Sequence, residues 1–512
     1  MQYHLKKVNE DLYDISLQLT ALSINNIEWG CLYSGLGIIH TPDEKEKKHL
    51  SSIFKENNEK LYILENLVLT KCIYSKGKPF FSPQPDCVLD PGKYMWDYKT
   101  FEKTINPSTQ AFAVLASLRS ADFIFEYNKA LALVLFKISQ LYYEFLSTFL
   151  RNEEGLFISY ENKSKEIKDN LKLKALKEDP SILTQVYVHE AALMLKSISQ
   201  KDEYVKYFKN QKNFYSNDVK NIFNFIFENY NELLDLSSKD MSLCISSLCR
   251  CCIISKEEED ITNYRHLIAL LCAELESRVK ITGEVDKNYN ANDNATLITH
   301  FRTASALMEG YMETDIDKFK ELSLSIFGYV KDLLDENTGL FIMKDTDNIS
   351  YTIRDIAEIN KLLLLLYNDS VSEEIIKILK NFYKSSIIDS GIVLSLPDFN
   401  ISFGNTNSSY SVSSPLSHEN NKAPVFIKGF KISKDETKLY SQSKRYHSNY
   451  SLYSSYIFLT YFSPYLKLKE TVIEKESLNF EKDVNANSEN IYNVNTNAES
   501  TLPSSEYYME RI

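Results

Sequence analysis

The chain of 512 residues is poor in the residues that make turns. It holds 13 glycines and 12 prolines, well below the roughly 7% and 5% that proteins usually contain. All-β proteins with many tight turns need more of both residues. Their scarcity therefore argues against an all-β fold and favours a helical one.

Long apolar runs and an excess of positive charge are also missing. The most apolar stretch, residues 130–150, is interrupted by Lys137, Gln140 and Glu144, which argues against a membrane span. The first residues contain no apolar core of signal-peptide length. The net charge of −12 argues against nucleic acid and anionic membranes as main partners. With 44% apolar residues the chain can form a packed core, and we expect a cytoplasmic protein.

Separated cysteine pairs, which would indicate a zinc site, are absent. Four of the eight cysteines lie together in "CISSLCRCC", at Cys244, Cys249, Cys251 and Cys252. No second pair and no pair of histidines accompanies them. We therefore predict buried cysteines that act as small apolar residues, with no metal, no cofactor and no disulfides. The sequence also has no phosphate loop, dinucleotide-binding motif, G-x-S-x-G or H-E-x-x-H.

What the sequence does contain is apolar residues at helical spacing. The pattern predicts helices at 8–24, 44–70, 107–126, 128–150, 181–198, 217–235, 239–254, 258–280, 295–313, 316–335, 352–367, 371–388 and 446–462. Strand-like alternation is confined to loops, as at 391–398 and 423–433. Long and short connections alternate, except for the short one before 239.

Two landmarks recur at nearly the same offset. "NPSTQAFAVLASL" begins at Asn106 and "NATLITHFRTASAL" at Asn294, 188 residues later; "GLF" begins at Gly155 and again at Gly339, 184 residues later. Each copy consists of a capped helix, a long helix, the "GLF" joint and a further helix. We interpret the joint as structural, with glycine closing a helix and Leu-Phe anchoring the loop.

After the helix at 8–24, the helices pair into six hairpins, the first being 44–70 with 107–126. Long loops within hairpins and short ones between them describe a closed ring. In these features the sequence resembles the six-hairpin (α/α) toroid superfamily, which includes glucoamylase-like glycosidases and sugar 2-epimerases. The resemblance spans about residues 40–465 and implies an all-α (α/α)6 toroid with minor strand content. We predict a lead-in at 1–40, a toroid domain at 41–468 and a disordered tail at 469–512; the polar stretch 400–424 is a lid or an insertion.

The resemblance places a site on the loop face, where the inner helices begin and their free N–H groups favour anions and polar ligands. Asp97 lies in "KYMWDYKTF" beside Trp96 and Tyr98, a carboxylate next to aromatic platforms; the alternative is a loop anchored by a buried tryptophan. In the helix starting at 352, Asp355 and Glu358 are candidate acids or bases and Arg354 a candidate binding residue. A capping box from Thr352 to Asp355 and an Arg354–Glu358 pair explain these residues equally well.

Further candidates lie at two other inner helices. Asp293 precedes one of them as a binding residue or, with Asn294, as a helix cap. His300 and Arg302 follow in its first turns, His300 as acid/base, sugar ligand or core residue. His189 and Glu190 form an ionisable pair in an apolar helix, which is costly unless the pair is satisfied or used. His418 with Glu419 and Arg445 with His447 are weaker candidates.

Three functions remain open. The first is a carbohydrate-active enzyme, acting by glycoside hydrolysis with Asp97 and either Asp355 or Glu358 as paired carboxylates, and binding a small molecule or an oligosaccharide. The second is a non-catalytic toroid that binds or scaffolds. The third is a sugar epimerase-like enzyme that uses His300 or His189. Fold alone does not choose among them.

Overall fold

A computed structural model describes most of the chain. The described residues are 9–59, 61–81, 95–164, 171–176, 180–208, 212–288, 295–343, 348–395, 422–433, 439–441 and 444–467. The predictions for Asp293, for His418 with Glu419 and most of the 400–424 stretch, and for the tail from 469 lie outside them.

Sixteen α-helices lie in this described part. They are α1 (Glu10–Ile27), α2 (Glu44–Glu56), α3 (Leu61–Asn66), α4 (Pro107–Ile124), α5 (Lys129–Phe149), α6 (Ile182–Ile198), α7 (Asp202–Val205), α8 (Lys212–Glu228), α9 (Tyr230–Leu234), α10 (Ser238–Ile254), α11 (Glu258–Glu276), α12 (Leu297–Thr314), α13 (Asp317–Lys331), α14 (Ile353–Ser370), α15 (Glu373–Tyr383) and α16 (Ser448–Tyr461). π-helical turns continue α1 through Glu28–Tyr33 and α15 through Lys384–Ile388.

Six helices form a closed inner ring. In ring order α4, α6, α10, α12, α14 and α16 each pack against the next, and α16 packs against α4. Six outer helices surround them: α5 packs on α4, α8 on α6, α11 on α10, α13 on α12, α15 on α14 and α1 on α16. The inner helices are buried on nearly all sides, which explains their continuous apolar sequences. This is the predicted all-α toroid of six hairpins.

The prediction was wrong about the outer helix of the first hairpin. That place is taken by α1, which packs on α16 and α15, whereas the predicted helix 44–70 is broken into α2 and α3, and α2 packs on α5. The physical reason lies in the apolar surface. α1 buries every residue from Leu19 to Ile27, but α2 buries only Leu50, Ile53 and Phe54. The predicted helix 217–235 is likewise divided, into α8 and α9.

Short strands occur in the connections between helices. They are β1 (Gly37–Ile39), β2 (Thr70–Ile73), β3 (Lys76–Gly77), β4 (Thr104–Ile105), β5 (Tyr160–Asn162), β6 (Leu173–Ala175), β7 (Leu334–Asp335), β8 (Leu340–Phe341), β9 (Asn348–Thr352), β10 (Gly429–Ser433), β11 (Leu439–Ser441) and β12 (Tyr446–His447). They pair antiparallel as β1–β2, β3–β12, β4–β5–β6, β7–β8 and β9–β10–β11. Three of these five small sheets, β3–β12, β4–β5–β6 and β9–β10–β11, join connections that lead into different inner helices, namely α4, α6, α14 and α16.

The two "GLF" joints are hairpins that lie beyond the ends of their helices. α5 ends at Phe149 and α13 at Lys331, so neither glycine closes a helix as we expected. Gly155 and Gly339 instead turn the chain with φ of 83° and 68°, a region that suits glycine. Phe157 and Phe341 are buried, as the anchoring role of Leu-Phe requires.

The packing of the structure explains the apolar helix α5 and the clustered cysteines. Among the described residues, α5 is the one helix long and apolar enough to cross a membrane, and 83% of its apolar window is buried inside the protein, as in a core helix. The four clustered cysteines are buried, as predicted, and burial raises the pKa of Cys244 to about 12.

Candidate functional site

Polar side chains from five inner helices converge at the end of the ring axis where these helices begin. We call this set the axial mouth; its members are Tyr187, Lys239, Arg302, Arg354, Asp355 and Asn449. Each lies in the first two turns of its helix, α6, α10, α12, α14 or α16. The N-terminal ends of these helices carry partial positive charge toward the same opening.

Asp355 has two roles at the mouth. Its Oδ2 accepts hydrogen bonds from the backbone N–H and hydroxyl of Thr352, at 3.0 and 2.7 Å, which completes the predicted capping box. Its Oδ1 accepts a hydrogen bond of 3.3 Å from Nη2 of Arg302 on the neighbouring helix α12. The side chain keeps 19% of its surface exposed. A helix cap is thus also a partly open carboxylate beside a guanidinium.

Arg354 does not pair directly with Glu358, although the two stand four residues apart. Its Nη2 donates to the hydroxyl of Tyr187 at 3.0 Å, and its Nη1 donates to Oδ1 of Asn449 at 3.4 Å. The guanidinium lies 4.1 Å from the ring centroid of Tyr453. Packing on the aromatic ring holds the charged group in place at the mouth.

Glu358 lies below the mouth and is completely buried. Its carboxylate contacts Nζ of Lys361 at 2.9 Å and accepts a hydrogen bond from the hydroxyl of Tyr453. Burial alone would raise the pKa of Glu358, but Lys361 and Arg302, with the Tyr453 hydrogen bond, lower it to about 2. Such a group stays ionised, so it cannot deliver a proton near neutral pH.

The same lysine connects a second carboxylate. Nζ of Lys361 lies 3.2 Å from Oε2 of Glu309, which also accepts hydrogen bonds from Ser246 and, through Oε1, from Tyr461. One ammonium group therefore serves two buried carboxylates from α12 and α14. The arrangement joins α10, α12, α14 and α16 across the axis.

Glu190 forms a third buried anion, paired with Arg250. Nε and Nη2 of Arg250 donate to its two oxygens at 2.6 and 3.0 Å, and Ser247 and Tyr456 donate to the same carboxylate. Every acceptor oxygen of Glu190 is thus occupied by α10 or α16. The high cost of a buried charge is met by pairing, which is one of the two explanations that the sequence left open.

His189 and His300 point away from the axis. Nε2 of His189 bonds to the hydroxyl of Tyr264 on the outer helix α11, and His300 stacks on Tyr329 of the outer helix α13, with ring centroids 5.1 Å apart. Burial lowers the pKa of both, that of His189 to about 3. The structure therefore does not support a sugar-binding or acid/base role for either residue at the axis.

The predicted aromatic platform is divided between core and surface. Trp96 is buried and packs edge-on against Tyr446, as expected of a loop anchor. Oδ1 of Asp97 accepts the backbone N–H of Lys99 and caps the short turn at Tyr98–Thr100. Tyr98 is exposed and lines a separate small surface cavity, together with Tyr74 and Phe101. Asp97 is not among the residues that line that cavity.

Arg445 and His447 lie at the entry to α16. His447 belongs to β12, which pairs with β3, and burial followed by the charge of Lys76 lowers its pKa to about 4. Among the described residues no group of histidine, cysteine and carboxylate side chains is placed to hold a metal ion. The mouth instead offers hydrogen-bond donors, a carboxylate and fixed positive charge.

Sequence reasoning missed Lys239, Arg250, Glu309, Lys361 and Asn449. A signal was present, because Arg302 and Glu309, and likewise Arg354, Glu358 and Lys361, recur at spacings that place them on one face of a helix. Charged residues on a face that is otherwise apolar indicate a buried polar axis. The partners within that axis come from different helices, which the sequence does not reveal.

The ring and its mouth define the class of structure to which the chain belongs, the six-hairpin (α/α) toroid. A cellobiose 2-epimerase from Spirochaeta thermophila has this fold, with a TM-score of 0.50 and 10% identity over 83% of this chain and 99% of that one. A D-mannose isomerase is similar at a TM-score of 0.49 and 12% identity, over 82% and 100% of the chains. An α-mannanase of Bacteroides thetaiotaomicron gives 0.43 and 8%, over 75% and 93%. At 10% identity the likeness to the epimerase shows the fold alone. The sequence matches no protein-family model and no curated protein.

Proposed function

We propose that the chain is a carbohydrate-active enzyme whose sugar ligand binds at the axial mouth. The observation that carries the proposal is the convergence there of Arg302, Arg354, Asp355, Tyr187 and Asn449, which together offer donors, an acceptor and a proton-transfer group. The epimerase of the same fold acts on a sugar, which supports this choice of ligand.

Asp355 is the proposed acid/base residue. Of the four carboxylates on the described axis, Glu190, Glu309 and Glu358 are buried in ion pairs, and Asp355 keeps exposed surface. Arg354 is placed to stabilise negative charge on a sugar oxygen, since cationic donors held at a half-buried position act strongly on developing charge. Tyr187 accepts from Arg354, which leaves its own hydroxyl hydrogen for the ligand.

Hydrolysis and isomerisation place different demands on this site. Glycoside hydrolysis by the common route needs two carboxyl groups about 5–9.5 Å apart. With Glu358 completely buried and committed to Lys361 and Tyr453, Asp97 is the predicted residue that remains to act with Asp355. Isomerisation of a free sugar needs only one such base beside a donor. The described residues therefore favour isomerisation over hydrolysis.

The test is an activity screen with free sugars and glycosides, in which both new isomers and released sugar are measured. We expect Asp355→Asn to lower turnover at least about a hundredfold, the usual size of a general acid/base contribution. Asp43→Asn is the matched control because Asp43 also caps a helix, α2, away from the axis. Loss of activity in Asp97→Asn as well would favour hydrolysis. Full activity of Asp355→Asn would overturn the assignment.

A second candidate is sugar binding without turnover. It is favoured by the closure of the axis below the mouth, where three carboxylates are committed to Arg250 and Lys361. Calorimetry on the same sugars separates the two functions. Saturable binding with no product under any condition of the screen would support the binding protein.

A further inference from the structure

Two guanidinium groups at the axial mouth have more hydrogen-bond donors than partners. Each arginine carries five N–H donors. Within the part of the chain that the structure describes, Arg302 makes one hydrogen bond, the 3.3 Å contact with Asp355, and Arg354 makes two, to Tyr187 and Asn449. Nε of both residues is buried without a partner. Arg302 is only 2% exposed, so water cannot freely replace the missing acceptors.

Such unmet donors are costly in a protein interior. A buried polar group without a partner loses the hydrogen bonds that water gave it, and a buried charge loses more. Among the described residues the nearby carboxylates are largely committed: Glu309 accepts hydrogen bonds from Lys361, Ser246 and Tyr461, and Glu358 accepts one from Tyr453 and pairs with Lys361, although its Oε2 accepts no hydrogen bond. The missing acceptors are therefore expected to come from a ligand.

The charge at the mouth indicates what kind of ligand this is. Lys239, at the start of α10, is exposed and close enough to Arg302 and Arg354 to feel their repulsion; desolvation and then Arg302 lower its pKa. Its neighbour Asp240 accepts a hydrogen bond from the cap residue Ser237. Among the described residues Asp355 forms an ion pair with Arg302, at 3.3 Å, while Arg354 and Lys239 form none, and the helix N-termini add to the positive potential.

The two guanidinium groups contact neighbouring parts of the mouth: Arg302 contacts Asp355 at 3.3 Å, and Arg354, the residue before Asp355, contacts Tyr187 at 3.0 Å. Both act on the hydroxyl of Tyr187: burial raises its pKa to about 12, while Arg354 and then Arg302 oppose the rise. A planar guanidinium is suited to the paired oxygens of a phosphate or carboxylate group. A neutral sugar would offer only hydroxyl groups, which leave the positive charge uncompensated.

We infer that the axial mouth binds an anionic sugar, whose phosphate or carboxylate group is held between Arg302 and Arg354 with Lys239 at the entrance. This inference rests on the proposed function and specifies the substrate class of the same site. The two anionic groups share one chemistry, paired oxygens with negative charge, and binding measurements can tell them apart.

The experiment measures binding to the full chain by calorimetry with four probes: glucose, glucose 6-phosphate, glucuronate and inorganic phosphate. We expect one of the two anionic sugars to bind at least about tenfold more tightly than glucose, the effect of one charge-assisted hydrogen bond. The tighter of the two identifies the anionic group. Its affinity should fall with added salt, because Lys239 is exposed and screened.

Three variants locate the anion. Arg354→Gln and Arg302→Gln should each weaken binding of the anionic sugar about tenfold or more, and weaken glucose binding by a smaller factor. Lys239→Gln should weaken it less and reduce its salt dependence, and this exposed substitution should leave the fold intact. Arg151→Gln is the control, because its guanidinium bonds to Ser147, Gly155 and Asp218 instead of facing the mouth.

Each outcome separates this inference from the proposed function. Equal affinity for glucose and both anionic sugars would overturn the anion site and leave the carbohydrate proposal intact. Binding of inorganic phosphate with no preference for any sugar would support the anion site and overturn the carbohydrate proposal. Binding that none of the three variants weakens would overturn the inference, and absence of binding by all four probes would overturn both.

Discussion

Each buried carboxylate on the axis has a cation and a tyrosine as neighbours. Glu190 is held by Arg250 and Tyr456, Glu309 by Lys361 and Tyr461, and Glu358 by Lys361 and Tyr453. A shift of one residue along the helix changes the surroundings completely. Glu190 faces the axis, while the adjacent His189 faces the outer ring. At the residue scale, orientation on the helix matters more than proximity in the sequence.

The buried histidines predict a loss of stability in mild acid. The folded-state pKa of His189 is about 3, below the value of 6.5 for an exposed histidine. As the pH falls below about 6.5, His189 therefore becomes protonated in the unfolded chain but stays neutral in the folded protein. Between about pH 6.5 and 5 this histidine alone should lower the free energy of unfolding by about 2 kcal/mol. Glu358 adds nothing there, because its stabilisation is lost only below about pH 4.5.

The measurement is urea denaturation at pH 7, 6 and 5. His189→Gln should be less stable than the wild type at pH 7, because the packing against Tyr264 is altered, but its stability should fall less between pH 6.5 and 5. His266→Gln, at an exposed position on α11, should keep the wild-type slope. Equal slopes for wild type and His189→Gln would contradict the assignment.

Contacts between residues close in sequence could be predicted, whereas contacts between distant residues could not. The capping box of Thr352 and Asp355 was predictable, because its partners are three residues apart. The bonds of Glu190 were not, because Ser247, Arg250 and Tyr456 lie 57 to 266 residues away. The outward turn of His300 follows from helical geometry once Arg302 is placed on the axis, since the two residues are about 200° apart.

At the element scale, loops are fixed to inner helices by paired side-chain contacts. Gln185, in the first turn of α6, bonds to both the N–H and the C=O of Phe157 in the first "GLF" joint. Gln110 does the same for Ile73 at the start of α4. In each case the glutamine side chain satisfies both backbone groups of one loop residue, as a neighbouring strand would do in a sheet. Helix positions followed from apolar spacing, but these contacts depend on the course of long loops.

The two joints differ in how closely they approach the outer ring. A side chain at Gly155 would meet no atom within 4 Å, whereas one at Gly339 would lie 3.1 Å from the backbone oxygen of Asn381 on α15. Both positions have positive φ, where alanine costs roughly 1–2 kcal/mol. Gly339→Ala should therefore lose roughly 1–3 kcal/mol more than Gly155→Ala, the usual cost of overpacking.

Thermal denaturation of the two variants provides the comparison. Because backbone conformation is similar at both sites, Gly155→Ala serves as the control for strain alone. Equal melting temperatures for the two would mean that α15 moves aside and that the close approach carries no energy. A larger drop for Gly155→Ala would reverse the predicted order.

At the scale of the whole molecule, the ion pairs tie the ring together from inside. Lys361 on α14 contacts Glu309 on α12 and Ser246 on α10, and through Glu358 it connects to Tyr453 on α16. The architecture was predictable from hairpin count, loop alternation and the internal repeat. The polar axis was not predictable. Apolar spacing indicates which face of a helix is buried, but it does not indicate which side chains of other helices that face contacts.

Lys361→Met should be among the most damaging single substitutions in this ring. It leaves Glu309 and Glu358 buried beside an apolar side chain, and breaking a buried pair in this way costs about 3–5 kcal/mol. Adding Glu358→Gln should recover part of the loss. The free energy of unfolding in urea is the measurement.

Lys320→Met is the matched control. Lys320 also pairs with a carboxylate, Asp369, at 2.6 Å, but its side chain is 30% exposed. Partly exposed pairs contribute up to about 1 kcal/mol. A similar loss in both variants would show that the axial pairs contribute no more than surface ones.

The position of α1 in the ring affects how the protein folds during synthesis, because its main partner, α16, is made last of the ring helices. Nδ2 of Asn26 bonds to Ser455 of α16 across 429 residues. A ribosome adding about 5–20 residues per second needs roughly 20 seconds to more than a minute to cover that distance. Until then α1 lacks α16, its main packing partner, although α4 and α15 have already been made. We expect nascent chains halted before α16 to bind chaperones and completed chains to be released.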